Sequence, residues 1–294
     1  MNDDALAVEN LTRDYGGPPV LQGLNMNVRR GSIYGFLGRN GSGKTTTIKA
    51  LAGLVRPTSG TVRVLGGNPW DFGSVERQRV GYLSERLTLP PFIKVASLVK
   101  FCAQLYPAWD HAFCDGMLSR FDIPPRRRVY RLSLGQQRLL GFVLAIAPRP
   151  DVLILDEPAA NLDVVARREF LDQILELIRD GEKTVFFSTH ILSDVERVAD
   201  QVGILSGGRL VVEESLDDLK ESIRQVRLFG FHGELPEQIP GALNMRKGSG
   251  EILAVLHHGS DGNVDALAER FGCQAEVRDL SLEDLFVELT RNNS

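Results

Sequence analysis

The chain is poor in cysteine and tryptophan and has no long apolar run, and each shortage excludes something. Its three cysteines, Cys102, Cys114 and Cys273, are an odd number with no C-x-x-C spacing. They supply neither a disulfide framework nor a zinc site, so buried free thiols in a reducing compartment are expected. No stretch approaches the ~20 apolar residues that span a bilayer. The longest apolar segments, such as Gly141 to Ala147, have the length of a core helix. The chain alone is therefore not expected to cross a membrane. Its start, Met1-Asn2-Asp3-Asp4, is acidic and lacks the basic and apolar regions of a secretory leader. Neither sign of charge dominates: 34 Lys and Arg stand against 38 Asp and Glu, a net charge of −4. Strong nonspecific nucleic-acid binding is disfavoured, and no specific nucleic-acid partner is expected.

What is present is an ordinary globular composition, 43% hydrophobic and 24% charged. At about 150 residues per domain, 294 residues suggest two domains. Early segments alternate like half-buried strands: Leu24, Met26 and Val28 interleave with Asn25, Asn27 and Arg29. Ala5 to Val8 and Thr61 to Leu65 read similarly. Ser32 to Leu37 reads as a buried strand, and Lys44 to Leu54 follows with helical spacing. Residues 86–147 form a mostly helical insert. Within it Ser97, Leu98, Phe101, Cys102 and Leu105 share one helix face, and Trp109 is expected to pack inside. Strand-like runs (Val152 to Leu155, Thr184 to Ser188, Val202 to Leu205) then alternate with helical ones (Arg167 to Ile178, Ser193 to Ala199). That alternation implies a parallel sheet with helices on its faces. The main domain is placed at 1–221 and a small α+β accessory domain at 222–294. The latter has strands at Val226 to Phe231 and Ile252 to Leu256, with a hairpin turn at Lys247 to Gly250 before the second. A helix is expected from Asn263 to Phe271, and a last one from a Ser281 cap to about Arg291. His257 and His258, adjacent in a strand, face opposite sides and do not share a metal easily.

Gly38-Arg39-Asn40-Gly41-Ser42-Gly43-Lys44-Thr45 fits G-x-x-x-x-G-K-[ST] between a strand and a helix, the context of a phosphate-binding loop. Its glycines let successive backbone N–H groups turn inward on phosphates, and the helix N-terminus adds partial positive charge. Lys44 is expected on the β- and γ-phosphates and Thr45 on Mg²⁺, with Asn40 and Thr46 completing the loop's contacts. Leu153-Ile154-Leu155-Asp156-Glu157 is an apolar strand ending in two carboxylates that point different ways. Asp156 is assigned to the Mg²⁺ shell. Glu157 is assigned as the general base that orients or deprotonates water. Leu132-Ser133-Leu134-Gly135-Gln136 opens a long apolar helix from Arg138 to Ala147, and Gly135 stands 21 positions before Asp156. Alone it reads as a Ser cap; between loop and carboxylates it reads as a second anion-binding helix end.

The phosphate loop, Leu-Ser-x-Gly-Gln, Leu-Asp-Glu-Pro and Ser188-Thr189-His190, in this order, resemble the ATP-binding cassette (ABC) ATPases over about residues 5 to 220. The resemblance implies the P-loop NTPase cassette fold: a parallel-sheet core, an N-terminal antiparallel subdomain and a helical insert. It implies two cassettes stacked head to tail, either two copies or this chain with a paralogue. Each ATP would lie between one phosphate loop and Ser133, Gly135 and Gln136 of the other cassette. Tyr15 matches the aromatic that stacks on adenine, His190 the histidine that contacts the γ-phosphate, and Asp163 the loop that communicates between sites. Glu85 stands where the family usually has Gln; its carboxylate could still bind Mg²⁺ but brings a negative charge near the triphosphate. Asn161 stands where Gly is frequent. The resemblance also implies a separate integral membrane permease meeting the insert and the Glu85 loop, on the inner face of the cell membrane. The tail around Ser281 to Thr290 is similar to that of exporter-type cassettes. A soluble ABC ATPase without a permease is the alternative, and a binding module that barely turns over is a third reading that Glu157 argues against. Arg126, Arg127, Arg128 and Arg131 read as a solvated basic turn.

Overall fold

The computed structural model describes residues 4–179, 181–231, 235–257 and 264–290. The chain divides into two compact units, Met1–Leu210 and Val211–Ser294. His258, Asn263 and Arg291, which enter the expectations for the tail, lie outside the described residues.

The first unit opens with β1 (Asp4–Arg13) and β2 (Leu21–Arg29), paired antiparallel with Leu6 opposite Val28 and Val8 opposite Met26. The alternation read in the sequence is physical: Leu24, Met26 and Val28 are fully buried, while Asn25, Asn27 and Arg29 are exposed. β3 (Ile33–Gly38) is buried along its whole length and feeds the phosphate loop and α1 (Lys44–Leu51). β4 (Ser59–Val64) closes a three-stranded sheet in the order β2-β1-β4. A short α2 (Ser74–Gln78) and β5 (Val80–Leu83) follow.

The insert is helical, as the resemblance implies: α3 (Val95–Ala103), α4 (His111–Arg120), a 3₁₀ turn at Val129–Arg131 and α5 (Leu134–Ile146). α3 ends at Ala103, short of Pro107, so Leu105 lies beyond it. The expected apolar face is only partly internal: Leu98 is buried, but Phe101 and Leu105 are more than half exposed. Trp109 is buried, its ring 6.3 Å from that of Tyr106. Cys114 is buried as expected, whereas Cys102 and Cys273 are half-exposed; all three are free. Arg126, Arg127, Arg128 and Arg131 are exposed.

The chain then alternates β6 (Val152–Asp156), α6 (Val164–Ile178), β7 (Thr184–Thr189), α7 (Leu192–Val198) and β8 (Gln201–Ser206). A Gly207-Gly208 turn, both residues at positive φ, leads into β9 (Arg209–Ser215). The sheet order is β5-β6-β7-β3-β8-β9, with the first four pairings parallel. Its centre is aromatic: Phe186 stacks on Tyr34 at 5.3 Å and lies 5.2 Å from Phe36. The sheet places the carboxyl ends of β3, β5, β6 and β7 along one edge, where ligands of open parallel sheets bind.

The second unit contains α8 (Leu216–Ser222), β10 (Ile223–Phe229), β11 (Ala242–Lys247), β12 (Glu251–His257), α9 (Val264–Phe271), β13 (Gln274–Asp279) and α10 (Leu282–Thr290). Its four strands lie in the order β11-β12-β10-β13. Val226, Leu228, Ile252, Ala254 and Leu256 form its core together with Leu267 of α9. The expected turn is present, closed by Gly248 N–H donating to the Glu251 carbonyl at 2.8 Å. Ser281 caps the last helix, its hydroxyl accepting from Asp284 N–H at 3.1 Å. Among the described residues no helix is long and apolar enough to cross a membrane.

Candidate functional site

A cleft of about 360 Å³ opens at the carboxyl edge of the parallel sheet. It is lined by Asn40, Gly41, Gly43, Lys44, Thr45 and Thr46 from the loop, and by Glu85, Glu157 and His190 from the ends of three neighbouring strands. Nine residues assigned to chemistry from the sequence therefore converge on one space. Gly38 and Ser42 stand behind it: a Cβ on Gly38 would lie 2.5 Å from Ser42 Oγ. Arg39, Val20 and Ala160 also line it, without having been singled out.

The loop's shape depends on glycine at two places. Gly41 and Gly43 have φ of +83° and +111°, where side chains are strained. At Gly43 a Cβ would also meet Leu21 Cδ2 at 2.6 Å. Lys44 is buried at the mouth of α1. Its ammonium donates to the Gly38 carbonyl at 2.7 Å and lies 3.7 Å from Glu157 Oε1. The cation thus sits between the loop's carbonyls and the candidate base.

Asp156 ends β6 and is 1% exposed. Its Oδ1 accepts from Ser188 Oγ at 2.8 Å and from Thr45 Oγ1 at 3.5 Å. Its Oδ2 is buried without a partner. Burial pushes the carboxyl's pKa above its usual range, and the Ser188 and Thr45 hydroxyls only partly oppose this. An orphaned carboxylate oxygen beside a threonine hydroxyl, with Glu85 on the same cleft, is the all-oxygen donor set a hard divalent cation takes. The residues fit Mg²⁺.

Glu157 follows at φ +48°, a left-handed conformation uncommon for a side-chain residue. Its backbone N–H donates to Ser188 Oγ at 3.0 Å, so one hydroxyl links both carboxylate residues. His190 Nδ1 contacts Glu157 Oε2 at 2.9 Å. An ionised carboxylate only accepts, so the imidazole N–H donates there. Glu157 is consequently held between Lys44 on one oxygen and His190 on the other. Behind His190, α7 is tied to α6 by Arg167 Nε donating to buried Asp194 Oδ1 at 2.6 Å.

The other assigned residues stand elsewhere on the chain. Tyr15 is 58% exposed, with the Arg13 guanidinium 4.5 Å from its ring centre. Ser133 caps α5 in a reciprocal box: its Oγ accepts from Gln136 N–H at 3.0 Å, and Gln136 Oε1 accepts from Ser133 N–H at 3.2 Å. Gly135 packs against the Asn161 carbonyl and the Leu162 side chain, with Asn161 O 3.2 Å and Leu162 Cδ2 3.5 Å from the position of a Cβ. Asp163 caps α6, accepting from Val165 and Ala166 N–H. Asn161, at φ +64°, occupies a conformation that asparagine tolerates almost as glycine does. None of Tyr15, Ser133, Gly135, Gln136 and Asp163 lines the Lys44 cleft.

Sequence reasoning missed Arg138. It stands on α5, is 5% exposed, and directs its guanidinium at the backbone beneath Asp156, Glu157 and Glu85. The available signal was a lone arginine at the head of an apolar helical run, since a buried charge must be satisfied.

A parallel sheet whose carboxyl edge carries a phosphate loop and, at the end of β6, a buried aspartate followed by a buried glutamate is the arrangement of a nucleotide-hydrolysing P-loop protein. A family model described as ABC transporter matches residues 21–160. The chain is 32% identical to the bacitracin transport ATP-binding protein BcrA of Bacillus licheniformis, over 95% of each chain. It is also 32% identical to the daunorubicin resistance ATP-binding protein DrrA3 of Streptomyces coeruleorubidus, over 75% of this chain and 71% of that one. A solved ATP-binding subunit of an ABC transporter superposes with a TM-score of 0.67 at 27% identity, over 74% of this chain and 92% of that one. The chain belongs to the ABC transporter family, as an ATP-hydrolysing subunit that energises a membrane permease.

Proposed function

We propose that this subunit drives an exporter, and that it hydrolyses ATP with Mg²⁺ between two cassettes. The observation that carries the reading is the arrangement at Glu157, a strained, buried base between Lys44 and His190 at the mouth of the phosphate loop. Lys44 and the loop N–H groups bind the β- and γ-phosphates. Thr45, Asp156 and Glu85 would hold the Mg²⁺. Bound there, the cation would supply charge neutralisation to the phosphates. Glu157 holds the attacking water, and His190 fixes the carboxylate and contacts the γ-phosphate.

The separation of Ser133, Gly135 and Gln136 from the cleft supports a second cassette. Their helix end, capped by the exposed Ser133, would complete the site from a second copy or a paralogue. Tyr15 stacks on the adenine and Asp163 relays between sites. Phe92 and Tyr130, whose rings lie 5.9 Å apart, and Phe101 and Leu105 are exposed apolar residues of the insert that suit contact with the permease. The subunit then works at the cytoplasmic face of the cell membrane. By similarity to the bacitracin transport and daunorubicin resistance proteins, the cargo is a drug- or peptide-like compound moved outward.

The test is a tagged pull-down of Glu157→Gln from detergent-solubilised native membranes with ATP, identifying every co-purifying chain. A polytopic membrane protein at stoichiometric yield is expected. Recovery of soluble partners only, or of none across several detergents, would support the permease-free ATPase instead.

A further inference from the structure

We infer that Arg138 is a positioning residue that sets the two catalytic-edge segments, and so aims Glu157 and Glu85 as one unit. Its guanidinium has five N–H donors, and each meets a different carbonyl. Nε donates to Pro158 O at 3.2 Å. Nη1 donates to Ser84 O and to Glu85 O at 2.8 Å. Nη2 donates to Asp156 O and Glu157 O. Five carbonyl dipoles would repel one another if brought together bare. One buried cation makes their convergence favourable.

The placement gives this cluster its meaning. The carbonyls belong to two segments at the ends of neighbouring parallel strands, 84–85 just after β5 and 156–158 running out of the last residue of β6. The side chains of Glu85 and Glu157 enter the phosphate cleft from those segments, and Asp156 stands beside them. Glu157 holds its uncommon backbone conformation with its N–H on Ser188 and its carbonyl on Arg138. A glutamate side chain alone does not fix its direction there; the clamp on both sides of its peptide does. Burial lowers the guanidinium's pKa from its usual value, with Asp156, Glu85 and Glu157 opposing the shift, and arginine remains charged regardless. Arg138 also stands on the helix that Ser133 caps, so its hydrogen bonds to the 156–158 carbonyls tie that helix to the segment carrying Glu157. Lysine, a single ammonium with three donors, cannot span five carbonyls.

This inference rests on Glu157 being the hydrolytic base, and the experiment separates the two. Steady-state ATP hydrolysis and equilibrium binding of a fluorescent ATP analogue are measured on the full chain. The parent, Arg138→Lys, Glu157→Gln and the double variant are compared, with thermal melting of each. Arg138→Lys is expected to lower kcat by about 10- to 100-fold, as misplacement of a reacting group does. Nucleotide affinity should stay within about threefold, because the phosphate loop is untouched. The double variant should hydrolyse no more slowly than Glu157→Gln, because residues acting as a unit are non-additive. Arg138→Gln, which keeps two donors, replaces the lysine variant if that one melts below the assay temperature. Unchanged kcat, equal losses in affinity and kcat, or additive losses in the double variant would overturn the role of Arg138. Full hydrolysis by Glu157→Gln would instead overturn the base assignment on which it stands.

Discussion

His190 Nδ1 lies 2.9 Å from Glu157 Oε2, while Lys44 Nζ lies 3.7 Å from the other oxygen of the same carboxylate. The Glu157 carboxylate is thus held from both sides. Replacing His190 by Ala removes one of the two. ATP turnover should fall by about 10²-fold, the usual size of a proton-handling or orienting contribution. Binding of ATP, measured by equilibrium fluorescence, should weaken far less. Parallel losses in both would assign His190 to nucleotide binding alone.

Glu85 contributes a carboxylate to the cleft, whose Thr45 hydroxyl reaches Asp156 behind it. Glu85→Gln removes one charge from the oxygen set and from the neighbourhood of the phosphates. Half-saturation by Mg²⁺ should require about tenfold more cation, the lower end of what changing a ligand's surroundings does. A titration of Mn²⁺ binding by electron paramagnetic resonance, in the presence of a non-hydrolysable ATP analogue, measures this directly. Equal Mn²⁺ affinities would remove Glu85 from the metal site.

Gly43 has φ +111° and no room for a Cβ against Leu21. Gly43→Ala must shift the loop or Leu21. A destabilisation of about 1–3 kcal/mol is expected from the strained backbone, together with loss of ATP binding. Thermal melting and nucleotide titration of the same sample check both. A variant that binds ATP normally would show that the loop tolerates a shift at its last glycine.

Asp110 caps α4, accepting from Phe113 N–H at 2.9 Å and from Arg149 Nη2 at 2.7 Å. The backbone N–H first, and Arg149 second, lower its pKa below the usual carboxylate value. A depressed folded pKa means stability that is present above the unfolded value and lost as pH falls through the folded one. Asp110→Asn keeps an accepting oxygen but not the charge. Its melting temperature should lie below the parent's at neutral pH, and the gap should close as the pH is lowered through 4 towards 3, the region just below the ordinary value of 3.8. A gap independent of pH would mean that the charge of Asp110 contributes nothing.

The sequence made the catalytic edge legible because its parts are local. A phosphate loop carries its own glycines and its own helix, and Asp156 and Glu157 end a run of apolar residues that can only be a buried strand. Other features were hidden because they depend on partners far along the chain. Arg138 reads as one more polar helix residue until the carbonyls of 84–85 and 156–158 arrive beneath it. Ser188 reads as the end of a strand-like run, but its hydroxyl bridges Asp156 and Glu157. Phe101 and Leu105 have helical spacing with Leu98, and spacing does not say which apolar residues the rest of the insert leaves uncovered. Strands β9, β11 and β13 went unread because none alternates cleanly between buried and exposed residues: β9 and β11 are mostly half-buried and β13 mostly exposed, so their pairing comes from neighbours rather than from their own patterning.

The central claim is that Glu157 is the base of an ATP-hydrolysing cassette that closes on a second one. The most direct measurement follows phosphate release and molecular mass together for the parent and for Glu157→Gln, with ATP and Mg²⁺. The account predicts steady release by the parent. The variant should release phosphate at least about 100-fold more slowly and elute with ATP as a stable dimer that disperses when the nucleotide is removed. Release at the parent's rate by Glu157→Gln, or a variant that stays monomeric with saturating ATP, would contradict it.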